Sequence, residues 1–316
     1  MTERPCIVQC EHLDESVVAW LKERADVVQA DVGTTAFDDA IGRAQGLIVR
    51  TNTQVDEALL ERAPSLRVVG RAGVGLDNID VSACRSRSIE VVYTPDANTQ
   101  AVVEYVLAIM LRHLRPTPPL DAPIGPDEWR AARAQHVGMR QLAELTVGVL
   151  GFGRIGSRLG AVLATLGVRV LYHDLLDIPA ERRHGCEPVD ARSLARNADV
   201  ISIHVDGRAE NRHLIDAAWL AHCKAEVIII NTSRGFIVDN SALVATMRSS
   251  PSAHALLDVY DPEPIPADDP VWSCPNVTLT PHLASRSAAA MRDMSWVARD
   301  VVAVIRGESP AFPAPA

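Results

Sequence analysis

Aromatic side chains are scarce in this chain of 316 residues and make up only 4% of it. The core must therefore be aliphatic, and hydrophobic residues do account for 47% of the sequence. No apolar run reaches the roughly eighteen residues that a membrane-spanning helix needs, so we expect none. The first residues are charged and no long apolar stretch follows them, which argues against a signal peptide. We therefore expect a cytoplasmic protein.

Positive charge is also in short supply. Lysine and arginine number 31 against 40 aspartates and glutamates, a formal net charge of −9. This balance argues against a nucleic-acid backbone or an anionic membrane as the main partner. At about 150 residues per domain, the length predicts two domains.

Closely paired cysteines are absent, since the six cysteines include no C-x-x-C spacing. A structural zinc site needs such close ligands, and disulfides belong to oxidising compartments. We expect six reduced, packed thiols and no metal. The cysteines are Cys6, Cys10, Cys84, Cys186, Cys223 and Cys274.

Short apolar runs alternate with segments of helical period, which is the pattern of parallel α/β sheets. One such series fills about the first hundred residues, and a second begins at Leu145. Between them a helix is predicted from Thr99 to Leu114, followed by an irregular, proline-rich arm over residues 116–126. A single last helix is predicted over residues 287–306.

A glycine motif marks the start of the second series. Gly151, Gly153 and Gly156 form G-x-G-x-x-G directly after the strand LTVGVL and open a helix. The first glycine permits a tight turn, the second admits a pyrophosphate, and the third lets the helix pack on the strand. The amides that open the helix, at Arg154 and Ile155, would face the phosphates. The motif predicts a dinucleotide site.

An acidic residue follows at the spacing that this site requires. Asp174 ends the next predicted strand, where a carboxylate can accept hydrogen bonds from two ribose hydroxyls. It would repel the 2′-phosphate of NADP, and no arginine comes directly after it. The sequence therefore favours NAD as the cofactor.

Three residues with complementary chemistry follow predicted strands in the second series. Arg234 can hold a carboxylate or a carbonyl oxygen with its fork of donors. His282 can exchange a proton with a hydroxyl group, and Glu263 would favour its protonated form. Together they suit hydride transfer at a 2-hydroxy acid.

The sequence resembles the D-isomer-specific 2-hydroxyacid dehydrogenases over nearly its whole length. The matching segments are GRAGVGLDNID at residues 70–80, GFGRIG at 151–156, NTSRGFIVD at 231–239, LDVYDPEP at 257–264 and TPHLAS at 280–285. The resemblance implies an α/β fold of two Rossmann-like, doubly wound parallel-sheet domains. The NAD-binding domain (residues 99–283) would be inserted into a substrate-binding domain (residues 1–98 and 284–316). It also implies a homodimer formed near the arm at 116–126.

The resemblance also implies roles for individual residues. Arg234, Glu263 and His282 would be the catalytic residues. Further cofactor and substrate positions follow in the same way: His204 and Thr232 in the cofactor cleft, Asp258 at the nicotinamide amide, the backbone of Val74 and Gly75 at the substrate carboxylate, and Asn98 at the hinge.

Within the family, the N-terminal half most resembles D-3-phosphoglycerate dehydrogenase, an enzyme of serine biosynthesis, in a short form without the regulatory domain. Arg50 and Arg71 match positions near the substrate's phosphate and carboxylate. A doubly anionic substrate needs such cations in an acidic protein. Residues 261–272 look more like glyoxylate and hydroxypyruvate reductases, which are one alternative. An NADH-sensing protein that resembles the family's corepressors and lacks enzymatic activity is another.

Overall fold

The computed structural model describes residues 4–138 and 140–315. The chain divides into two compact units, Met1–Asn98 with Ser285–Ala316, and Thr99–Ala284. Ala284 belongs to the second unit, whereas the domain boundary expected from the sequence placed it in the first. The reason is local, because its amide donates to Asp258 and its side chain packs in the core of the second unit.

The first unit is built on a five-stranded parallel sheet with the strand order β2-β1-β3-β4-β5. In chain order its elements are β1 (Cys6–Gln9), α1 (Glu15–Lys22), β2 (Asp26–Gln29), α2 (Thr35–Ile41), β3 (Gly46–Val49), α3 (Glu57–Glu61), β4 (Val68–Arg71), α4 (Val81–Ser86) and β5 (Glu90–Tyr93).

Local sequence explains why these elements form. The central strands β1, β3 and β4 are buried throughout, as strands covered on both faces must be. Helices α1, α3 and α4 begin after aspartates whose carboxylates accept amide hydrogen bonds from the first turn. A helix near the end of the chain, Val297–Ile305, covers one face of this sheet.

The second unit contains a seven-stranded parallel sheet with the order β12-β11-β10-β9-β6-β7-β8. The strand order reverses between β6 and β9, and ligands of such sheets bind beyond the carboxyl ends of the strands at that point. In chain order the elements are α5 (Thr99–Leu114), α6 (Pro126–Gln135), β6 (Thr146–Leu150), α7 (Arg154–Thr165), β7 (Arg169–His173), β8 (Glu187–Pro188), α8 (Ala191–Asn197), β9 (Val200–Ile203), α9 (Ala217–Leu220), β10 (Ile228–Asn231), α10 (Asn240–Ser249), β11 (His254–Leu257) and β12 (Val277–Leu279).

Two expectations about helices differ from the structure. Residues 116–125 lack helix, but α6 begins at Pro126 itself, because the first turn tolerates a residue without an N–H. The single helix predicted over residues 287–306 is two helices, α11 (Ala288–Ser295) and α12 (Val297–Ile305), which break at Trp296. No helix among the described residues is long and apolar enough to cross a membrane.

Candidate functional site

The glycine loop between β6 and α7 requires glycine at two positions. Gly151 has φ +89°, and a Cβ there would lie 2.6 Å from the amide nitrogen of Val205. A Cβ on Gly156 would lie 2.1 Å from the carbonyl oxygen of Gly151. The loop therefore packs backbone against backbone, as the motif predicts.

The middle glycine of the loop has a different environment. A Cβ on Gly153 would meet no heavy atom within 4 Å, so the space beside it is open. Gly153 is also the N-cap of α7 and has no side chain to accept hydrogen bonds from the first turn. The amides of Arg154 and Ile155 thus open a helix whose N-terminus is favourable for phosphate.

Asp174 lies directly beside this loop. One carboxylate oxygen accepts the amide of Phe152 at 2.6 Å, and the other accepts the amide of Leu176 at 2.9 Å. Each oxygen keeps further acceptor capacity, which two ribose hydroxyls could use. This arrangement fits an adenosine ribose.

Two polar side chains after neighbouring strands complete the cofactor fit. Thr232 follows β10, and its buried hydroxyl has no hydrogen-bond partner in the described chain. His204 follows β9, and its Nε2 lies 2.8 Å from the hydroxyl of Ser202. Burial lowers the pKa of His204 to about 4, so its ring is neutral. An orphaned hydroxyl and an uncharged ring both suit the neighbourhood of a bound dinucleotide.

The structure brings the three candidate catalytic side chains together. His282 Nδ1 lies 2.9 Å from Glu263 Oε2, and about a third of each side chain is exposed (33% and 32%). The other oxygen of Glu263 accepts the amide of Tyr260 at 3.0 Å. Because Glu263 occupies Nδ1, the nitrogen left for proton exchange is Nε2.

Glu263 is held in its ionised form. Burial alone would raise its pKa, but the hydrogen bond and charge of His282, the amide of Tyr260 and the charge of Arg234 lower it, and the net direction is down. Arg234 is therefore close enough to act on the carboxylate electrostatically. The site combines one fixed cation, one carboxylate and one imidazole.

Asp258 lies beneath the turn that carries His282 and is 0% exposed. Its Oδ1 accepts the amide of Leu283 at 2.8 Å and the hydroxyl of Thr280 at 2.7 Å, and its Oδ2 accepts the amide of Ala284 at 2.7 Å. His282 itself has φ +53°, a left-handed conformation that its neighbours must hold in place. The expected contact of Asp258 with the nicotinamide amide stays a prediction.

In the first unit, Arg50 and Arg71 are both largely buried, with 9% and 7% exposed. Asn78 connects them. Its amide nitrogen donates to the carbonyls of Arg50 and Thr53 at 3.0 and 2.6 Å, and its oxygen accepts Arg71 Nε at 3.3 Å. Asn78 thus fixes the backbone at Arg50 and the guanidinium group of Arg71.

The loop after β4 also packs against Arg71. A Cβ on Gly73, which has φ +155°, would lie 2.1 Å from Arg71 Nη1, so the arginine folds over this glycine. In the part of the chain that the structure describes, the amides of Val74 and Gly75 donate no hydrogen bond. The buried amide oxygen of Asn98 also has no partner there. These groups are available to a carboxylate or another polar ligand.

Residues 107–284 match the family model of the D-isomer specific 2-hydroxyacid dehydrogenase, NAD binding domain. The chain belongs to this family. The fold class expected from the sequence and the choice of NAD are confirmed by this match and by solved structures of similar fold.

Three relatives show the range within this dehydrogenase family. The chain is 36% identical to the D-3-phosphoglycerate dehydrogenase of Mycobacterium leprae over 96% of this chain and 57% of that protein. It is 38% identical to the (S)-sulfolactate dehydrogenase of Chromohalobacter salexigens over 92% of this chain and 95% of that one. A solved NADPH-dependent glyoxylate/hydroxypyruvate reductase of Sinorhizobium meliloti superposes with a TM-score of 0.83 at 27% identity, covering 99% and 97% of the two chains. The chain thus spans little more than half of its phosphoglycerate dehydrogenase relatives.

Sequence reasoning missed two residues that shape this site, Tyr105 and Gly235. Tyr105 on α5 donates its hydroxyl to Thr280 at 2.7 Å and lies 3.2 Å from Asp258 Oδ1. A Cβ on Gly235 would lie 1.9 Å from the carbonyl carbon of Tyr260, so the turn that holds Glu263 packs directly on this glycine. Gly235 follows Arg234 in the segment NTSRGFIVD, but nothing in the sequence indicates the close approach of Tyr260.

Proposed function

We propose that the chain is an NAD-dependent oxidoreductase that interconverts a D-2-hydroxy acid and its 2-oxo acid. The observation that carries the proposal is the 2.9 Å hydrogen bond between Glu263 and His282, with the charge of Arg234 acting on the same carboxylate. The same unit contains the glycine loop and Asp174, which fit a dinucleotide.

The side chains divide the chemistry between them. His282 Nε2 takes the proton of the substrate's 2-hydroxyl group, and Glu263 at Nδ1 stabilises the imidazolium that results. Arg234 holds the substrate's carboxylate or the oxygen at C2. Bound NAD supplies the acceptor for the hydride that leaves C2. In the reverse direction His282 returns the proton to the carbonyl oxygen.

We further propose 3-phosphoglycerate as the substrate, which would place the enzyme in serine biosynthesis. The largely buried Arg50 and Arg71 support this, because a net acidic chain needs fixed cations to bind a second anionic group. The phosphoglycerate and sulfolactate dehydrogenases among the relatives also act, by name, on acids with such a group. The second candidate is a glyoxylate or hydroxypyruvate reductase, which the likeness to the reductase of S. meliloti supports.

A cytoplasmic homodimer is our proposal for the assembled enzyme. Helix α6 has no buried residue, and Trp129 on it is 49% exposed. A large aromatic side chain on an otherwise uncovered helix is typical of an interface. Light scattering coupled to size-exclusion chromatography tests this, with Trp129→Ala expected to raise the monomer fraction.

Steady-state kinetics test the catalytic proposal. We expect His282→Ala to lower kcat at least about a thousandfold, as loss of a general acid–base residue does, while NADH binding by fluorescence stays within about twofold. His222→Ala, at a histidine just beyond α9, is the matched control and should behave as wild type. Loss of NADH binding in His282→Ala would contradict the assigned role.

The choice of substrate is tested separately. Wild-type kcat/KM for 3-phosphoglycerate oxidation, and for reduction of its 2-oxo acid, is compared with that for reduction of hydroxypyruvate and glyoxylate. A clear preference for the phosphorylated acids supports the phosphoglycerate proposal. A preference for the unphosphorylated acids would support the reductase. Binding of NADH without turnover of any 2-oxo acid would contradict both.

A further inference from the structure

Two arginines that are 236 positions apart in sequence lie near the start of helix α11 in the first unit and act on each other electrostatically. Arg50 reaches from the end of β3, and its Nη2 lies 3.1 Å from the sulfur of Met291. Met291 is one turn into α11, since its amide donates to the carbonyl of Ser287, the N-cap. Arg286 directly precedes that N-cap. The Arg50 guanidinium therefore lies against the first turn of the helix that Arg286 introduces.

The carboxylate nearest to Arg50 is already engaged. The two oxygens of Glu11 accept hydrogen bonds from the amides of residues 50–53 at 3.0–3.2 Å. Glu11 therefore fixes the loop that begins at Arg50. Burial lowers the pKa of Arg50, the positive charge of Arg286 lowers it further, and Glu11 opposes this change. Two cations thus act on each other, and the carboxylate beside them is held by backbone amides.

Arg286 has no carboxylate partner of this kind in the described chain. It is exposed, and within the described chain its side chain makes no hydrogen bond or ion pair. A pair of guanidinium groups with spare donors, one largely buried and the other exposed, matches the several oxygens of a tetrahedral anion. Such an anion would also relieve the repulsion between the two cations.

We propose that Arg286 and Arg50 form a subsite for a second anionic group, a phosphate or sulfonate at C3 of the 2-hydroxy acid. The inference rests on the proposed function and narrows it, because it makes the charge at C3 the feature that the enzyme selects. Arg286 is then a specificity-determining residue that acts on KM, while the proton chemistry at His282 is unaffected.

The test is Arg286→Gln, with Arg292→Gln as the matched control. Arg292 lies on the same helix, half of its side chain is exposed, and it pairs with Asp293. A hydrogen bond to a charged group predicts a loss of about tenfold to a hundredfold in kcat/KM for 3-phosphoglycerate, sulfolactate or both, through KM. Hydroxypyruvate reduction should stay within about twofold, Arg286→Lys should recover part of the loss, and Arg292→Gln should match wild type.

The pattern across substrates decides the result. A loss for 3-phosphoglycerate alone assigns the subsite to phosphate, and a loss for sulfolactate alone assigns it to sulfonate. Equal losses for charged and uncharged substrates, or no loss, would overturn the inference.

Failure of the proposed function gives a different signature. If wild type turns over no 2-hydroxy acid or 2-oxo acid, titration calorimetry with inorganic phosphate still tests the subsite. Binding to wild type that weakens at least about fivefold in Arg286→Gln supports it. The same affinity in both proteins, or no binding to wild type, overturns it.

Discussion

Replacing Tyr105 with Phe removes a single hydroxyl group and keeps the ring that packs α5 in the second unit. That hydroxyl donates to Thr280 Oγ1 at 2.7 Å, and Thr280 donates in turn to the buried carboxylate of Asp258 at 2.7 Å. The same carboxylate fixes the turn that carries His282. The change therefore acts on the candidate catalytic histidine through two intervening side chains.

The size of the effect follows from this chain of hydrogen bonds. A hydrogen bond to a charged group contributes about 1.5–3 kcal/mol to stability. Tyr105 bonds to the charged Asp258 chiefly through Thr280, so we expect a smaller loss of about 1–2 kcal/mol in unfolding free energy. If about 1.4 kcal/mol of this appears as misplacement of His282, kcat falls tenfold. NADH affinity should change by no more than about twofold, because the glycine loop and Asp174 are untouched.

The assay compares kcat, KM, NADH binding and urea unfolding for wild type, Tyr105→Phe and Tyr172→Phe over pH 6–9. Tyr172 is the control because the centroid of its ring stacks 4.0 Å from that of Phe152, while its hydroxyl makes no side-chain hydrogen bond in the described chain. A Tyr105→Phe protein that loses stability and keeps wild-type kcat at every pH would refute the reasoning, since the hydroxyl would then be structural only.

Two further predictions concern the second unit. Gly235→Ala should lower kcat/KM at least about a hundredfold and leave NADH binding intact, because the added Cβ would press on Tyr260. Gly42→Ala is the control: a Cβ there meets nothing within 4 Å, so the variant should be neutral in the same kinetic assay. His204 has a folded pKa of about 4, below the ordinary value of 6.5, so the unfolded chain binds its proton first and stability falls as pH drops from about 6.5 to about 4. At pH 5 this contributes a loss of about 2 kcal/mol, which urea unfolding should show for wild type and not for His204→Asn.

The parts of the site that depend on short motifs could be predicted from the sequence. The conformation at Gly151 follows from a local pattern, and the companion residue Asp174 lies at a fixed distance along the chain. His282 and Glu263 were recognised from their residue types and from a resemblance, and their 2.9 Å contact is what the structure adds.

Contacts between residues far apart in sequence could not be predicted in this way. Tyr105 is 175 positions from its partner Thr280, and a tyrosine in an apolar helix carries no sign of that contact. Nothing in the sequence relates Arg286 to Arg50, so their proximity could not be predicted either. Strand β2 is hard to predict for another reason: it lies at the edge of its sheet and both of its end residues are exposed, so it has no buried apolar run.

In both units, buried polar side chains lie near the ends of parallel strands, and the need to pair backbone groups there explains their burial. Beyond its last ladder bond a strand leaves amides and carbonyls that must be paired if they stay inside the protein. Short polar side chains do this: Asn78 pairs the loop at Arg50 in one unit, and Asn231, which is 1% exposed, accepts the amide of Ser233 and donates to the carbonyl of Arg234 in the other. The two buried amide side chains thus fix the backbone at Arg50 and at Arg234. A change of either asparagine to leucine should therefore cost stability and catalysis together.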